Sequence, residues 1–283
     1  MSEGWQQPAP VGWKQLADEE LNKDIGYGDI SGAFFPPEQM SSFRIEAESK
    51  GILCGIGIAA YILQATDPRT EINVHFPDGT LLDRGKVVLS GRAPTAALLR
   101  HERTALNFLM HLSGVASLTH RMVCAVEGRR TRIVDTRKTL PGLRHLQKYA
   151  VRCGGGQNHR FALYDGLMLK DNHILAAGSV EMAVEQARRF AGHMTRIEVE
   201  CTSLSMVEQA VQAGADIVML DNMSLQEMTD AAQTFGHAVT LEASGGVTLD
   251  SVGQVAATGV HAISVGALTH SAPATPFHLE FLV

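Results

Sequence analysis

The sequence predicts an α/β protein in two parts. Three observations carry this: 283 residues of which 45% are hydrophobic, apolar alternation at period two within the first hundred residues, and short continuous apolar runs recurring between helical stretches after them. A chain of this length can bury one large core or two of ordinary size. In the first part, Phe43-Arg44-Ile45-Glu46-Ala47-Glu48 and Ile72-Asn73-Val74-His75-Phe76 alternate as half-exposed strands do. Ile56 to Gln64 reads as a short helix between them, and Pro77-Asp78-Gly79-Thr80 as a turn. From Pro94 the pattern is helical, with Leu98, Leu99, Leu106, Leu109 and Leu112 on one apolar face, until Ser113-Gly114 interrupts it. The predicted boundary lies there, with residues 1–112 forming a small α/β domain and residues 113–270 a larger one.

In the second part six apolar runs recur: Arg132-Ile133-Val134, Leu167-Met168-Leu169, Ile197-Glu198-Val199, Ile217-Val218-Met219-Leu220, Val239-Thr240-Leu241 and Ile263-Ser264-Val265. Such runs suit parallel strands covered by helices. Polar or glycine residues follow each one: Asp135-Thr136-Arg137-Lys138, Lys170-Asp171-Asn172-His173, Glu200, Asp221-Asn222, Ser244-Gly245-Gly246 and Gly266. Barrel enzymes place their chemistry at the C-terminal ends of their strands, and this is that arrangement. An open doubly wound sheet shows the same alternation, so the pattern leaves closure undecided.

The net charge of −6 gives no reason to expect nucleic-acid binding. Its distribution is uneven. From Arg129 to Arg160 the chain carries Arg129, Arg130, Arg132, Arg137, Lys138, Arg144, Lys148, Arg152 and Arg160 against one acid, Asp135, which suggests an anionic ligand. Within this segment Arg144, Lys148 and Arg152 share one side of a helix and are expected to form a solvated face. The first residues, Met1-Ser2-Glu3-Gly4-Trp5, lack a secretory leader, and no run nears the roughly 18 apolar residues of a membrane span, so a soluble cytoplasmic protein is expected. Cys54, Cys124, Cys153 and Cys201 are scattered without metal spacing and are expected to be buried, reduced thiols.

Among the groups able to do chemistry, Ser244-Gly245-Gly246 and Val265-Gly266-Ala267 follow the last two strands, where barrels hold phosphate on backbone N–H groups. Arg137, Lys138 and Lys170, with Asn158-His159-Arg160 nearby, suit a planar dicarboxylate, since Arg forks grip carboxylates and Lys adds a point charge. Each such pair is worth roughly 4 kcal/mol at 4 Å before desolvation, so several cations can select a multiply charged substrate. Glu200 and Asp221 could bind ribose hydroxyls or Mg²⁺, or pair with Lys170. His159 is read first as a structural hydrogen-bonder and second as a proton-transfer group. Signatures of Walker loops, calcium loops and nucleophilic triads are absent.

Taken in order, Gly26-Tyr27-Gly28-Asp29-Ile30, Glu102-Arg103-Thr104-Ala105-Leu106-Asn107, Asp135 to Thr139, Pro141-Gly142-Leu143-Arg144 and Lys148-Tyr149-Ala150-Val151 closely resemble quinolinate phosphoribosyltransferase. The likeness continues through Gly154 to Arg160, Lys170 to Ile174, Glu198-Val199-Glu200, Leu220-Asp221-Asn222, Glu242 to Gly246 and Gly266 to Ser271, and so spans almost the whole chain. Ala162, where the family often has glycine, is a mild departure. The resemblance implies an N-terminal α/β sandwich joined by residues 271–283, an incomplete α/β barrel, and a Mg²⁺-dependent homodimer or hexamer built from dimers. It also implies substrate sites: Arg137, Lys138, His159, Arg160, Lys170 and Arg103 of a neighbouring subunit on quinolinate and pyrophosphate, Glu200 and Asp221 on ribose and metal, and Ser244, Gly245, Gly246 and Gly266 on the 5′-phosphate. The implied reaction converts quinolinate and phosphoribosyl pyrophosphate to nicotinate mononucleotide, pyrophosphate and CO₂ without an organic cofactor, with Lys138, Lys170, Glu200 and Asp221 as catalytic groups. Two rivals remain at this point: a related phosphoribosyltransferase, either molybdenum-transport-associated or nicotinate-using, and a catalytically silent binding protein on the same fold.

Overall fold

A computed structural model describes residues 10–65 and 67–282; the stretch Met1 to Trp5, read above for a leader, lies outside them. After α1 (Trp13–Ile25), strand β1 (Met40–Ala47) buries Phe43, Ile45 and Ala47 while Arg44 and Glu46 stay partly exposed, the period of a strand covered on one face. The chain continues through β2 (Gly51–Ile52), α2 (Ile56–Gln64), β3 (Glu71–Val74), β4 (Leu81–Leu82) and β5 (Val87–Pro94). Four strands form an antiparallel sheet in the order last strand (Phe277–Leu282), β1, β5, β3, while β2 pairs with β4. The C-terminal residues therefore complete the N-terminal sheet, with Phe43 opposite Phe281 and Ile45 opposite Leu279.

Helix α3 (Thr95–Ala125) does not end at Ser113-Gly114. Ser113 Oγ instead accepts the Cys54 N–H at 3.0 Å and donates to the Cys54 carbonyl, and Gly114 gives room to Pro273, whose carbonyl oxygen a Cβ would strike. Both residues are there for packing and do not stop the helix. Leu98, Leu106, Leu109 and Leu112 are buried as expected, but Leu99 is 38% exposed.

The chain divides into two compact units, Met1–Leu118 with His145–Gly155 and Ala272–Val283, and Thr119–Arg144 with Gly156–Ser271. Helix α3 crosses the division in sequence. Helix α4 (Arg144–Cys153), which follows strand β6 (Arg132–Val134), falls almost wholly in the first unit. Its residues from Leu146 to Val151 are all buried, and Lys148 has no exposed surface, so the expected solvated face is overturned. Helix geometry places Arg144, Lys148 and Arg152 on one side, but Lys148 at its centre is fully buried while Arg144 and Arg152 are partly exposed. Cysteine burial is also uneven: Cys54 and Cys201 are buried, Cys153 is partly exposed and Cys124 exposed.

The second unit alternates strand and helix: β7 (Leu167–Leu169), α5 (Asp171–Ala177), α6 (Val180–Phe190), β8 (Ile197–Cys201), α7 (Leu204–Gln212), β9 (Ile217–Asp221), α8 (Leu225–Phe235), β10 (Thr240–Ser244), α9 (Val252–Ala257), β11 (Ala262–Ser264) and α10 (Ala267–His270), before the final strand β12. Its six strands are parallel in the order β6-β11-β10-β9-β8-β7, leaving the sheet open with β6 and β7 as its edges. This is the incomplete barrel that the resemblance implies. Ile197, Val199, Val218, Leu220, Leu241 and Ala243 are fully buried, while the alternate positions carry Glu198, Glu200, Met219, Asp221, Glu242 and Ser244 on the opposite face.

Candidate active site

The C-terminal strand ends of the second unit enclose a cavity of about 540 Å³. Thr136, Arg137 and Lys138 enter it after β6, Met168 and Lys170 at the end of β7, Glu200 from β8, Met219, Asp221 and Asn222 from β9, Ser244, Gly245 and Gly246 from β10, and Ser264 from β11; His159 and Arg160 complete it. Gly266 lies beside it, where a Cβ would press on Lys138 Cδ at 3.0 Å and His270 Nε2 at 3.2 Å. Arg103 is exposed on α3 of the first unit and is not part of this lining.

Local geometry fixes each cation. The Lys138 N–H donates to Thr136 Oγ1 at 3.0 Å and its carbonyl accepts from Thr269 Oγ1 at 2.8 Å, so the backbone is held on both sides while the ammonium reaches the cavity. Arg160 donates to the Gly166 carbonyl at 2.9 Å, and burial followed by the Arg137 guanidinium pushes its pKa below the ordinary value. Among the described residues Arg137, Lys138 and Arg160 form no ion pair, whereas Lys170 is paired with Glu200. The third alternative for Glu200, pairing with Lys170, is thus realised. Asp221 Oδ2 accepts from the Asn222 amide at 2.9 Å.

The segment bearing His159 is anchored by the fully buried Asp135, whose carboxylate accepts from Asn158 Nδ2 at 2.6 Å and the His159 N–H at 2.9 Å. His159 Nδ1 accepts the Arg160 N–H at 2.7 Å, and Nε2 faces Glu198 Oε2 at 3.0 Å and Glu242 Oε1 at 3.7 Å. The tautomer assigned from this network has its proton on Nε2. Glu198 and Glu242 are both buried at mid-strand, and burial, with Glu198 as the next cause, lifts Glu242 to about 7. A second cavity of about 470 Å³, lined by strand-start residues such as Arg132, Ile217, Thr240 and Ala262, reaches the same three groups.

On the phosphate side, Gly245 and Gly246 adopt positive φ values of 106° and 57°, and a Cβ at Gly245 would collide with Asn222. Asn222 itself has φ 54°, and its N–H donates to the Ser244 carbonyl at 3.0 Å. Thr136 and Asn222 are legible in the sequence as strand-end polar residues without a role of their own, whereas Ser264 and the Glu198–Glu242 pair are not marked there as site residues. A carboxylate inside an otherwise apolar covered strand was the available signal for Glu198 and Glu242.

Comparisons with known proteins agree along the chain. Residues 29–113 match the family model described as the N-terminal domain of quinolinate phosphoribosyl transferase, and residues 115–280 match that of its C-terminal domain. The probable nicotinate-nucleotide pyrophosphorylase (carboxylating) of Bacillus subtilis (strain 168) is 43% identical over 258 residues, covering 91% of this chain and 89% of the relative. The rat nicotinate-nucleotide pyrophosphorylase (carboxylating), from Rattus norvegicus, is 42% identical over 279 residues, covering 96% and 91%. The crystal structure of NadC from Streptococcus pyogenes superposes with a TM-score of 0.92 at 38% identity, covering 99% of this chain and 100% of that one.

Proposed function

The chain belongs to the quinolinate phosphoribosyltransferase family, and from its site geometry we propose how its residues carry out that family's reaction. It is a pentosyltransferase of NAD biosynthesis that joins quinolinate to phosphoribosyl pyrophosphate and releases pyrophosphate and CO₂. The observation carrying the residue assignment is the convergence of Arg137, Lys138 and Arg160 on one cavity without carboxylate partners among the described residues. Such cations serve anionic groups of the substrates, because their charge is not spent on the protein.

In this reading Arg137 and Arg160 grip the quinolinate carboxylates, Lys138 and Lys170 meet the remaining carboxylate and pyrophosphate charge, and Ser244, Gly245, Gly246 and Gly266 hold the 5′-phosphate. The pyridine nitrogen attacks the anomeric carbon as pyrophosphate leaves; when the 2-carboxylate then departs as CO₂, the electron pair left on C2 is stabilised by the adjacent cationic nitrogen and takes up a proton from water. The protein contributes positioning and charge. Lys170 is already paired with Glu200, which suits decarboxylation: a cation that over-stabilised the ground-state carboxylate would slow its loss.

Glu200 and Asp221, on adjacent strands facing one cavity, are also the residues that would hold Mg²⁺. The fit is that of a site completed by substrate: Mg²⁺ takes one or two carboxylates and fills its shell with water and phosphate oxygens. When bound it supplies neutralisation of the departing pyrophosphate. Glu200 and Asp221 would orient the ribose hydroxyls alongside it. No helix among the described residues is long and apolar enough to cross a membrane, and we place the enzyme in the cytoplasm, without nucleic-acid partners, as a homodimer or a hexamer of dimers with Arg103 acting across the interface.

Two measurements test the site. Lys138→Ala and Lys170→Ala should each lower turnover by about a hundredfold or more, with unchanged circular dichroism, as loss of transition-state charge stabilisation does. Phthalate, with two adjacent carboxylates and no attacking nitrogen, should compete with quinolinate without reacting. Wild-type kinetics in either variant removes that lysine from the site, and absence of competition removes dicarboxylate recognition.

A further inference from the structure

In the first unit, Cys54, Asp78 and Cys153, none of them a residue assigned to the reaction, bring two thiol sulfurs and a carboxylate oxygen within 4.8 Å of one another. The two cysteines are 99 positions apart in sequence and meet because α4 packs its C-terminal end against the turn between β2 and α2. Both backbones are pinned. The Cys54 N–H and carbonyl are held by Ser113 Oγ, and Cys153 is the last residue of α4, where the N–H groups of Gly154 and Gly155 close onto the Ala150 and Arg152 carbonyls. Asp78 is fixed as well, accepting the Ile56 N–H at 3.0 Å and the Tyr149 hydroxyl at 2.9 Å.

We propose that Cys54 and Cys153 form a thiol pair that closes to a reversible disulfide when the surrounding small-molecule thiol pool is oxidised. Access sets the order of events: Cys153 is partly exposed and Cys54 is fully buried. The Cys153 thiolate attacks a small-molecule disulfide such as glutathione disulfide, forming a mixed disulfide and expelling one thiolate. The Cys54 thiol then gives its proton to the adjacent Asp78 carboxylate, and the sulfur attacks the Cys153 sulfur and expels the second thiolate. Two protein thiols are thereby oxidised by two electrons, one disulfide is reduced to two thiols, and the two protons leave with them. Burial, then the hydrogen bond to Cys153, holds the Cys54 thiol well above its ordinary pKa, and burial raises the Asp78 carboxyl, so the resident base suits an otherwise unreactive resolving thiol. Among the described residues the exposed Cys124 and the buried Cys201, whose thiol burial lifts to about 12, belong to no such cluster.

The full chain, equilibrated with graded mixtures of glutathione and glutathione disulfide, is quenched in acid, alkylated with N-ethylmaleimide and mapped as unreduced peptides. A Cys54–Cys153 cross-linked peptide should grow with the oxidised share and vanish on dithiothreitol. Cys54→Ser should trap a glutathione adduct on Cys153, whereas Cys153→Ser should leave Cys54 unmodified in the folded protein. A wild-type protein that carries only a glutathione adduct on Cys153, or that cross-links only after unfolding in urea, overturns the pair.

Discussion

His159 shows how far a single residue can be read from its neighbours. Its Nδ1 is an acceptor for the Arg160 N–H and its Nε2–H points to Glu198, so both ring nitrogens are committed within the protein and neither is placed to carry a proton to substrate. We propose on this geometry that His159 is a positioning residue that holds Arg160 through its backbone. Loss of a general acid or base costs roughly 10²–10⁴ in rate, whereas His159→Gln, which keeps a donor for Glu198 and an acceptor for Arg160, should lose no more than about tenfold and keep the wild-type shape of its kcat against pH profile. Disappearance of one limb of that profile would restore the proton-transfer role. Beneath it, the Glu198–Glu242 pair holds a proton that Glu242 retains up to about pH 7. Since the folded pKa lies above the ordinary 4.5, the folded state binds more protons than the unfolded one between these values, and stability falls as pH rises through that window. The ceiling is about 3 kcal/mol at 1.36 kcal/mol per unit. Glu242→Gln removes the titration, so urea unfolding from pH 5 to pH 8 should show the variant gaining on the wild type with rising pH; a constant difference would show that no such proton is shared. The motif made His159 visible in sequence. Its tautomer was not, because Glu198 and Glu242 reach it from strands 39 and 83 positions downstream.

At the scale of elements, the parallel strands were the most legible feature, because strands covered on both faces read as apolar runs. β6 and β7 coincide with their predicted runs, and β10 starts at Thr240, one residue later than its run. Helices were misread where a residue serves a long-range contact. Lys148 has the charge of a surface residue yet is buried within α4, and Ser113-Gly114 has the composition of a helix end yet lies inside α3. In both cases the deciding partners, such as Pro273 against Gly114, are more than a hundred positions away or belong to a unit assembled from three separate segments. Gly114 gives a prediction with a reversed sign. Glycine to alanine inside a helix ordinarily stabilises by roughly 0.8–1.0 kcal/mol. Here the added Cβ meets the Pro273 carbonyl, and overpacking of that kind costs about 1–3 kcal/mol. Gly114→Ala should therefore lower the melting temperature; a rise would mean that the 273–274 segment yields freely.

The whole molecule raises the matter of what completes the site. All cavity-lining residues come from the second unit, while Arg103, the one remaining cation that the family likeness ties to substrate, is an exposed residue of the first. The second unit also exposes Leu163, Tyr164, Phe190 and Met194, the first three around one surface cavity, an apolar surface of the kind that a second copy would cover. These observations support the two-fold assembly proposed above, in which each subunit lends Arg103 to the other and both sites are equivalent. Mixing separates that arrangement from its alternative. Arg103→Ala and Lys170→Ala proteins, each nearly inactive, are combined under conditions in which subunits exchange. If Arg103 acts across the interface, a mixed dimer gathers both defects in one site and leaves the other wild type. Random exchange makes about half of the dimers mixed, so activity should return to roughly one quarter of wild type per site. If Arg103 serves its own subunit, every site keeps one defect whatever the pairing, and the mixture stays inactive. Exchange is followed independently by mass spectrometry of one isotope-labelled partner, so that an inactive mixture with proven exchange removes Arg103 from the neighbouring site.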